Sequence, residues 1–593
     1  MRGLSLLREN FAQTPRTLRL VWGASRRTSL VLGALTLVSA ILPLGVAYAG
    51  KIIIDAVVAT DGEKTLHWVL LELALIGGSS LTQRGLALTR SLLGARLSIV
   101  INVMILEKAQ TLELRHFEDS EFYDKLTRAR REASSRPISV VTESFQLLQN
   151  LLTLTGYIAL LMRFSGFAVL GLLLAAIPAT LAEMRFSTAA FRMRNWRSPD
   201  ARRLNYLEYV LANDGHAKEV KLFDLGPMLL GRYRKLSETF YDEDKVLAMK
   251  RAIWAYLLSL FGTGAFYACY AVMALAAAAG KLSLGNLTLY VVAFRQGQQA
   301  FQSILAAIGG MYEDNLYMSN LFQYLEIATR EPIAAAITTG DDSGIRFENV
   351  GFRYPGQERF ALRGIDVTIP SGQSLALVGH NGAGKTTFIK LLTRLYEPTE
   401  GRILLDGRDL KEWEADALRR RISVVFQDFN QYQLTLRENV GVGSVAHMED
   451  DERVTRSLTR GGGEDLLASL GAGLGTPLGR WFQDGMELSG GQWQKVALAR
   501  AFMREEADIL VLDEPTAALD AEAEHAVFER FRTLTKGRTT ILISHRFPTV
   551  RMADRILVIE DGQIQEAGTH TELLARAARY AQLFSLQAKG YLP

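Results

Sequence analysis

The chain divides into two hydropathy regimes. In the first, apolar residues come in long uncharged runs: residues 28–50 and 252–280 contain no Asp, Glu, Lys or Arg, and residues 144–162 and 164–182 form two more such runs separated only by Arg163. A hydrocarbon core of about 30 Å is crossed by about 20 apolar residues in a helix, so all four are long enough to span it. Residues 66–81 and 284–308 are weaker candidates, because Glu72 interrupts the first and Arg295 the second. Together the pattern predicts six spans. In the second regime the runs shrink to strand length. Residues 374–379 read SLALVG and residues 509–512 read ILVL, as expected of strands buried in a parallel sheet.

Charge orients the first regime. Residues 84–136 and 185–251 are helical in pattern and rich in Arg and Lys, whereas the connections near 57–65, 164–166 and 281–284 carry few positive charges. Positive residues stay on the cytoplasmic side, so both termini and the strand-bearing half are expected there. Arg2, Arg8, Arg16, Arg19, Arg26 and Arg27 precede the first span, with Leu18, Leu20, Val21 and Trp22 among them. That composition suits a helix resting on the membrane surface or a solvated tail. It lacks the short apolar core of a cleaved signal peptide.

Composition narrows the function classes. The 593 residues are 48% apolar and 22% charged, a high apolar share for that charge, and their length implies at least two domains. The net charge of +4 is small for this length and gives no support for a nucleic-acid partner, which calls for a concentrated basic face. Cys269 is the single cysteine and lies in an apolar run. A disulfide within the chain, a cysteine-based metal site and a thiol-peptidase domain are therefore excluded.

The candidate chemistry lies in the second half. Residues 379–387 read GHNGAGKTT directly after the first strand. Glycines there let backbone amides wrap an anion, and the helix opening near Lys385 aims the positive end of its dipole at it. Gly379, Asn381, Gly382, Gly384, Lys385, Thr386 and Thr387 are thus candidate phosphate contacts, with Lys385 reaching the β- and γ-phosphates and the Thr386 hydroxyl ligating Mg²⁺. The second strand ends in Asp513 and Glu514. Asp513 is placed to meet Mg²⁺ and Glu514 to polarise an attacking water. Two acids after an apolar strand are ordinarily a solvated strand end; the phosphate loop upstream is what favours the functional reading. Residues 488–492 read LSGGQ ahead of a predicted helix. Ser489 is a good N-cap, and the amides of a helix start bind anions. A plain capped helix does not account for consecutive glycines Gly490 and Gly491 before Gln492.

These motifs, in this order, resemble those of the ATP-binding cassette (ABC) transporters, over nearly the whole chain. LSGGQ is that family's signature motif. The resemblance implies further roles: Tyr354 in FRYPG as the aromatic that stacks on adenine, Gln427 in VVFQD as a residue that touches Mg²⁺ and senses the membrane half, Asp520 in AALD as the acid at the dimer seam, and His545 in ISHR as the residue that contacts the γ-phosphate. It implies that two cassettes meet head to tail, so that Ser489 and Gly491 contact ATP held by the partner's Lys385. Residues 117–126 and 217–223 look like elements that couple the membrane half to the cassette. Together with residues 478–502 they most resemble bacterial exporters of lantibiotic-type peptides. Two positions depart from the family: Ala517 stands where Ser is usual, and residues 478–482 (LGRWF) replace the Gly-Glu pattern of multidrug exporters upstream of the signature.

The expected fold is an all-α six-helix transmembrane domain followed by an α/β P-loop NTPase (ABC-type) domain. The expected division is a segment over 1–27, a transmembrane domain over 28–325, a linker over 326–343 and a cassette over 344–593. The expected function is ATP-driven export of a peptide across the cytoplasmic membrane by a dimer, with ATP and Mg²⁺ as cofactors and a second, identical half-transporter, the lipid bilayer and the transported substrate as partners. A lipid or drug exporter is the alternative within transport, and an ATP-gated regulator or channel is the alternative outside it. An importer subunit is disfavoured, because the membrane half is fused to the cassette and no binding-protein domain is evident. One polar face stays open to two readings. Arg295 lies inside the sixth predicted span, where a charge costs roughly 2.5–3.5 kcal/mol. Gln298, Gln299 and Gln302 follow at helical spacing on the same face. The face either lines a substrate path, or Arg295 pairs with an acid such as Glu72.

Overall fold

The computed structural model describes residues 13–119, 122, 136–163, 182, 185–186, 189–190, 192–193, 196–328, 343–515, 537–544 and 546–589. The chain forms two compact units, one of Met1–Thr111 with Ser120–Ala328 and the other of Leu112–Asp119 with Thr329–Pro593.

The described part of the first unit is helical. Its long helices are Arg26–Val58, Gly62–Gln110, Arg136–Met162, Gly226–Ala278 and Leu284–Leu325, with Thr14–Ala24, Ser198–Ala212 and Asp214–Leu222 as shorter ones. Caps written in the sequence set several starts. Asp61 accepts from the Lys64 amide at 3.0 Å and Ser283 from the Asn286 amide at 3.1 Å, satisfying donors that a helix start leaves free. The helices of 33, 49, 53 and 42 residues run roughly 50–80 Å at 1.5 Å per residue. They outreach a hydrocarbon core of about 30 Å. The basic stretches that read as helical in pattern therefore include continuations of the long helices Gly62–Gln110 and Gly226–Ala278.

Burial identifies the solvent of this unit. In Arg26–Val58, Leu32, Thr36 and Ala40 are at most 1% exposed, whereas Leu30 and Ile41 are 60% and 66% exposed. A helix apolar on both its packed and its open face is built for lipid. Among the described residues three helices are long and apolar enough to cross a membrane: Arg26–Val58, Arg136–Met162 and Gly226–Ala278. The charge-interrupted second and sixth predicted spans lie inside Gly62–Gln110 and Leu284–Leu325. The fourth, over 164–182, falls outside the described residues except Ala182. Tyr157, Leu161, Met273, Ala293 and Phe294 build the inner core from three helices. Arg295, Gln299 and Gln302 are exposed on the other side and Gln298 is half-buried. Arg295 and Glu72 form no ion pair among the described residues. At the N-terminus, Thr14–Ala24 is pinned to Leu284–Leu325 by a Thr14–Asn315 hydrogen bond of 2.9 Å and by Arg16 over the Phe322 ring at 4.9 Å.

The second unit carries two sheets. Strands β1 (Gly344–Phe352), β2 (Leu362–Pro370), β4 (Glu400–Leu405) and β5 (Arg408–Asp409) form an antiparallel sheet in the order β2-β1-β4-β5. Strands β3 (Ser374–Val378), β6 (Ile422–Val425), β7 (Ile509–Asp513), β8 (Thr539–Ile543), β9 (Arg555–Glu560) and β10 (Gln563–Gly568) form the other, in the order β10-β9-β3-β8-β7-β6. Its first five strands in the chain pair in parallel, and β10 closes the edge as an antiparallel hairpin with β9. β7 and β8 are buried at every position, which is why β7 reads as an apolar run up to Asp513. The helix Lys385–Leu392 lies in the core that joins the sheets. Phe388, Ile389, Leu391 and Leu392 are buried there, and the Phe388 ring stacks on Phe347 of β1 with centroids 4.1 Å apart. A second core of Leu436, Val440, Val454, Leu458, Trp493 and Val496 belongs to the helices after β6.

Candidate nucleotide site

Parallel pairing of β3, β8 and β7 sends their C-terminal ends to one edge of the sheet, where α/β sheets bind ligands. The loop after β3 and the acids ending β7 meet there. Gly384 caps the helix Lys385–Leu392 in a left-handed conformation, φ 108°, and Gly382 has φ 82°. A β-carbon on Gly384 would stand 2.7 Å from the Ala361 carbonyl oxygen, and one on Gly379 2.2 Å from that of Ile559. Glycine is required at these positions by backbone contact, and the loop is thereby held against β9 and the β1–β2 connection.

Around this loop is a cleft of about 540 Å³. Tyr354, Asn381, Gly382, Gly384, Lys385, Thr386, Thr387, Gln427, Asp513 and Glu514 line it, so the fold brings together most of the residues singled out from sequence. Lys385 is 6% exposed, and its ammonium donates to the carbonyls of Gly379 and His380 at 2.8 and 3.0 Å. Burial pulls its pKa down, against the charges of Glu514 and Asp513. Asp513 is 2% exposed and accepts from the Thr386 hydroxyl at 3.3 Å. Burial pushes its carboxyl up to about 6, opposed by that hydrogen bond and reinforced by Glu514. Glu514 accepts from the Gln427 amide at 2.9 Å and has a left-handed backbone, φ 50°, a strained conformation for a non-glycine residue of the kind that gathers at working sites. Tyr354 places its hydroxyl 3.0 Å from that of Thr387.

Not all the predicted residues are among the described residues that line the cleft, and Gly379 is one of those that are not. Ser489, Gly490, Gly491 and Gln492 do not line it. They open the helix Gly490–Phe502 through a capping box, with Ser489 N–H donating to Gln492 at 2.8 Å and the Ser489 hydroxyl accepting from the Gln492 amide at 3.3 Å. Ser489 and Gly490 are exposed. Asp520 and His545, like Ala517, lie outside the described residues.

Sequence reading missed part of the cleft wall. Gln357, Arg359 and Phe360 contribute from the β1–β2 connection, and Asp561 and Gly562 from the β9–β10 turn. Arg359 pairs with Asp561 at 3.1 Å. The Asp-Gly dipeptide between two β-patterned runs was a legible hairpin signal. Its place beside the phosphate loop follows from β9 pairing with β3, which no local pattern announces. Arg500 was also missed. From the signature helix it donates to the carbonyls of Asn430 and Asn439 at 3.2 and 3.0 Å and covers the Tyr432 ring, fixing the segment that follows Gln427.

Residues 362–517 match the ABC transporter family. The chain is 33% identical over 582 residues to the subtilin transport ATP-binding protein SpaT of Bacillus subtilis, covering 96% of this chain and 93% of that protein. It is 29% identical to the nisin transport ATP-binding protein NisT of Lactococcus lactis subsp. lactis, covering 96% and 95%. It is 28% identical to an ATP-dependent lipid A-core flippase of Thiobacillus denitrificans, covering 95% and 96%. A bacterial Atm1-family ABC exporter solved with ATP bound has the same fold, with TM-score 0.79 at 24% identity over 95% of this chain and 98% of that one. Both the membrane-type helices and the cassette are matched end to end, and the chain belongs to the ABC transporters as an exporter-type half-transporter, a membrane protein that couples ATP hydrolysis to transport.

Proposed function

We propose that this chain exports a peptide across the cytoplasmic membrane as a dimer of two identical copies, with both termini and the cassette on the cytoplasmic side. The observation that carries the peptide reading is the end-to-end likeness, at 33% identity, to a protein named for subtilin transport. The basic character of residues 84–136 and 185–251 supports the orientation. The cleft supports the dimer. It gathers the phosphate loop and the acids of one chain, while that chain's Ser489 and Gly490 are exposed elsewhere, so a second copy is the natural source of the signature.

In this reading the amides of residues 379–387 cradle the phosphates and Lys385 exchanges its two loop carbonyls for phosphate oxygens. Tyr354 stacks on adenine. The oxygens of Thr386, Asp513 and Gln427 are hard donors suited to Mg²⁺. The nearly dry Asp513 carboxyl, pushed up to about 6 by burial, is the kind of group that a divalent cation relieves. The bound ion would supply charge neutralisation of the phosphates. Glu514, held by Gln427, orients the attacking water, with His545 toward the γ-phosphate and Asp520 at the dimer seam. Glu514→Gln is expected to keep ATP binding and lower turnover by about 100-fold or more. Hydrolysis at the wild-type rate in that variant refutes the role. ATP-dependent uptake of candidate peptides into inverted vesicles tests the substrate class. Stimulation of ATPase by lipid alone, with no peptide uptake, overturns it.

A further inference from the structure

One segment belongs to the second unit although both its flanks belong to the first. Leu112–Asp119 follows directly on the helix Gly62–Gln110, and the chain returns to the first unit at Ser120. Leu114 packs against the main core of the second unit. Glu118, four residues on, is the segment's polar anchor. Its carboxylate meets the Lys390 ammonium at 2.9 Å and accepts a hydrogen bond from the Tyr396 hydroxyl.

Lys390 stands five residues after Lys385 on the same helix and is caged by aromatic rings. Its ammonium lies 5.4 Å from the Tyr354 ring centroid and 5.6 Å from that of Tyr396. Tyr354, Tyr396 and Phe352 meet edge to face, with centroids 5.0–5.4 Å apart. A cation against two ring faces is attracted by both quadrupoles, and the effect grows as water is removed. The Lys390 side chain is 22% exposed. Burial alone would lower its pKa, but Glu118 and Tyr354 override that and hold it up, so the charge persists. The polar end of Tyr354 is fixed as well, by the Thr387 hydroxyl at 3.0 Å.

We propose that Lys390 is a positioning residue for the nucleotide base: together with Glu118 it holds Tyr354 in place, and so makes ATP affinity depend on the segment Leu112–Asp119. The inference rests on the reading that Tyr354 stacks on adenine. Neither Glu118 nor Lys390 lines the cleft, and they act through the tyrosine ring. By linkage, a change in the segment that draws Glu118 away from Lys390 alters ATP affinity, and bound ATP biases the segment by the same factor. Glu118 follows the helix ending at Gln110 by eight residues and reaches Tyr354 through Lys390.

The test is ATP affinity and turnover of the full-length dimer in nanodiscs, with a fluorescent ATP analogue as probe. Lys390→Met and Glu118→Gln are each expected to raise the Kd about three- to tenfold, the scale of one cation–π contact, while kcat stays within about twofold. The exchange Glu118→Lys with Lys390→Glu is expected to lose the cation over Tyr354 and stay weak. Lys390→Arg keeps the cation and is expected to restore affinity. In a Tyr354→Leu background Lys390→Met should have no further effect. If Tyr354→Leu alone leaves the Kd unchanged, the adenine reading fails. If Tyr354→Leu weakens binding but Lys390→Met does not, or if Lys390→Met lowers thermal stability and kcat together with an unchanged Kd, the positioning role is overturned while the adenine reading stands.

Discussion

Three glycines of the phosphate loop separate two physical reasons for being glycine, and alanine scanning can tell them apart. Gly382 has φ 82° with nothing within 4 Å of an added β-carbon. Gly382→Ala therefore carries only left-handed strain, roughly 1–2 kcal/mol. Gly379 is not left-handed, but its β-carbon would stand 2.2 Å from the Ile559 carbonyl oxygen. Gly379→Ala carries only the overpacking term, about 1–3 kcal/mol when backbone must move. Gly384 has both, with φ 108° and contacts of 2.7 Å to the Ala361 oxygen and 2.6 Å to Leu362, so Gly384→Ala should cost about 2–5 kcal/mol. In a domain of this size each kcal/mol moves the midpoint by roughly 2–4 °C. The assay is scanning calorimetry of the full-length dimer in nanodiscs, run with and without Mg-ATP. Gly384→Ala should lower the cassette transition by about twice as much as Gly382→Ala or more. A Gly382→Ala variant as damaged as Gly384→Ala, without nucleotide, refutes the reasoning, because the open space around Gly382 leaves no contact to explain it.

Two further outcomes follow from buried groups in the second unit. His570 shares a 2.7 Å hydrogen bond with the fully buried Tyr580, and burial, with Arg551 nearby, lowers its pKa. The unfolded chain then binds the proton more readily, so stability should fall as pH drops below about 6.5; chemical denaturation at pH 7 and pH 5.5 should give a smaller difference in His570→Gln than in wild type. Phe388→Ala removes a ring that is wholly buried between the sheets and stacked on Phe347; it should cost about 3–5 kcal/mol, read as a lower cassette midpoint, whereas Phe388→Leu should cost less.

Legibility followed the range of the interactions. β3 and β7 were read to within a residue, because strands covered on both faces are apolar without interruption. The antiparallel sheet was passed over although β2 carries its own period-two signal, with Ile365, Val367 and Ile369 buried and Asp366, Thr368 and Pro370 exposed. The first, third and fifth predicted spans fall in helices long and apolar enough to cross a membrane, yet hydropathy marks only where a helix is in lipid. It says nothing of the continuation that makes Gly62–Gln110 and Gly226–Ala278 single helices of 49 and 53 residues. Within the site, Lys385, Thr386, Asp513 and Glu514 were legible because their motifs are contiguous. Arg359 and Asp561 were not, since they meet 202 positions apart through strand order alone.

The same distinction bears on how the two halves communicate. A motif announces a residue that touches the ligand, because the ligand's chemistry fixes the residue type. A residue that acts through another has no such signature: Lys390 looks like an ordinary helix lysine and Glu118 like an ordinary acid in FEDSEF. What singles them out is their geometry. A carboxylate from a segment that interrupts the first unit meets a cation set against the ring expected to bind the base. The hydroxyl of that same ring touches Thr387, one residue from the Thr386 hydroxyl that donates to Asp513. The base and phosphate ends of the cleft are therefore joined through Thr386, Thr387 and Lys390, all on one short helix. A displacement of Glu118 should for that reason be felt first as altered nucleotide affinity, and only secondarily in the chemistry at Glu514.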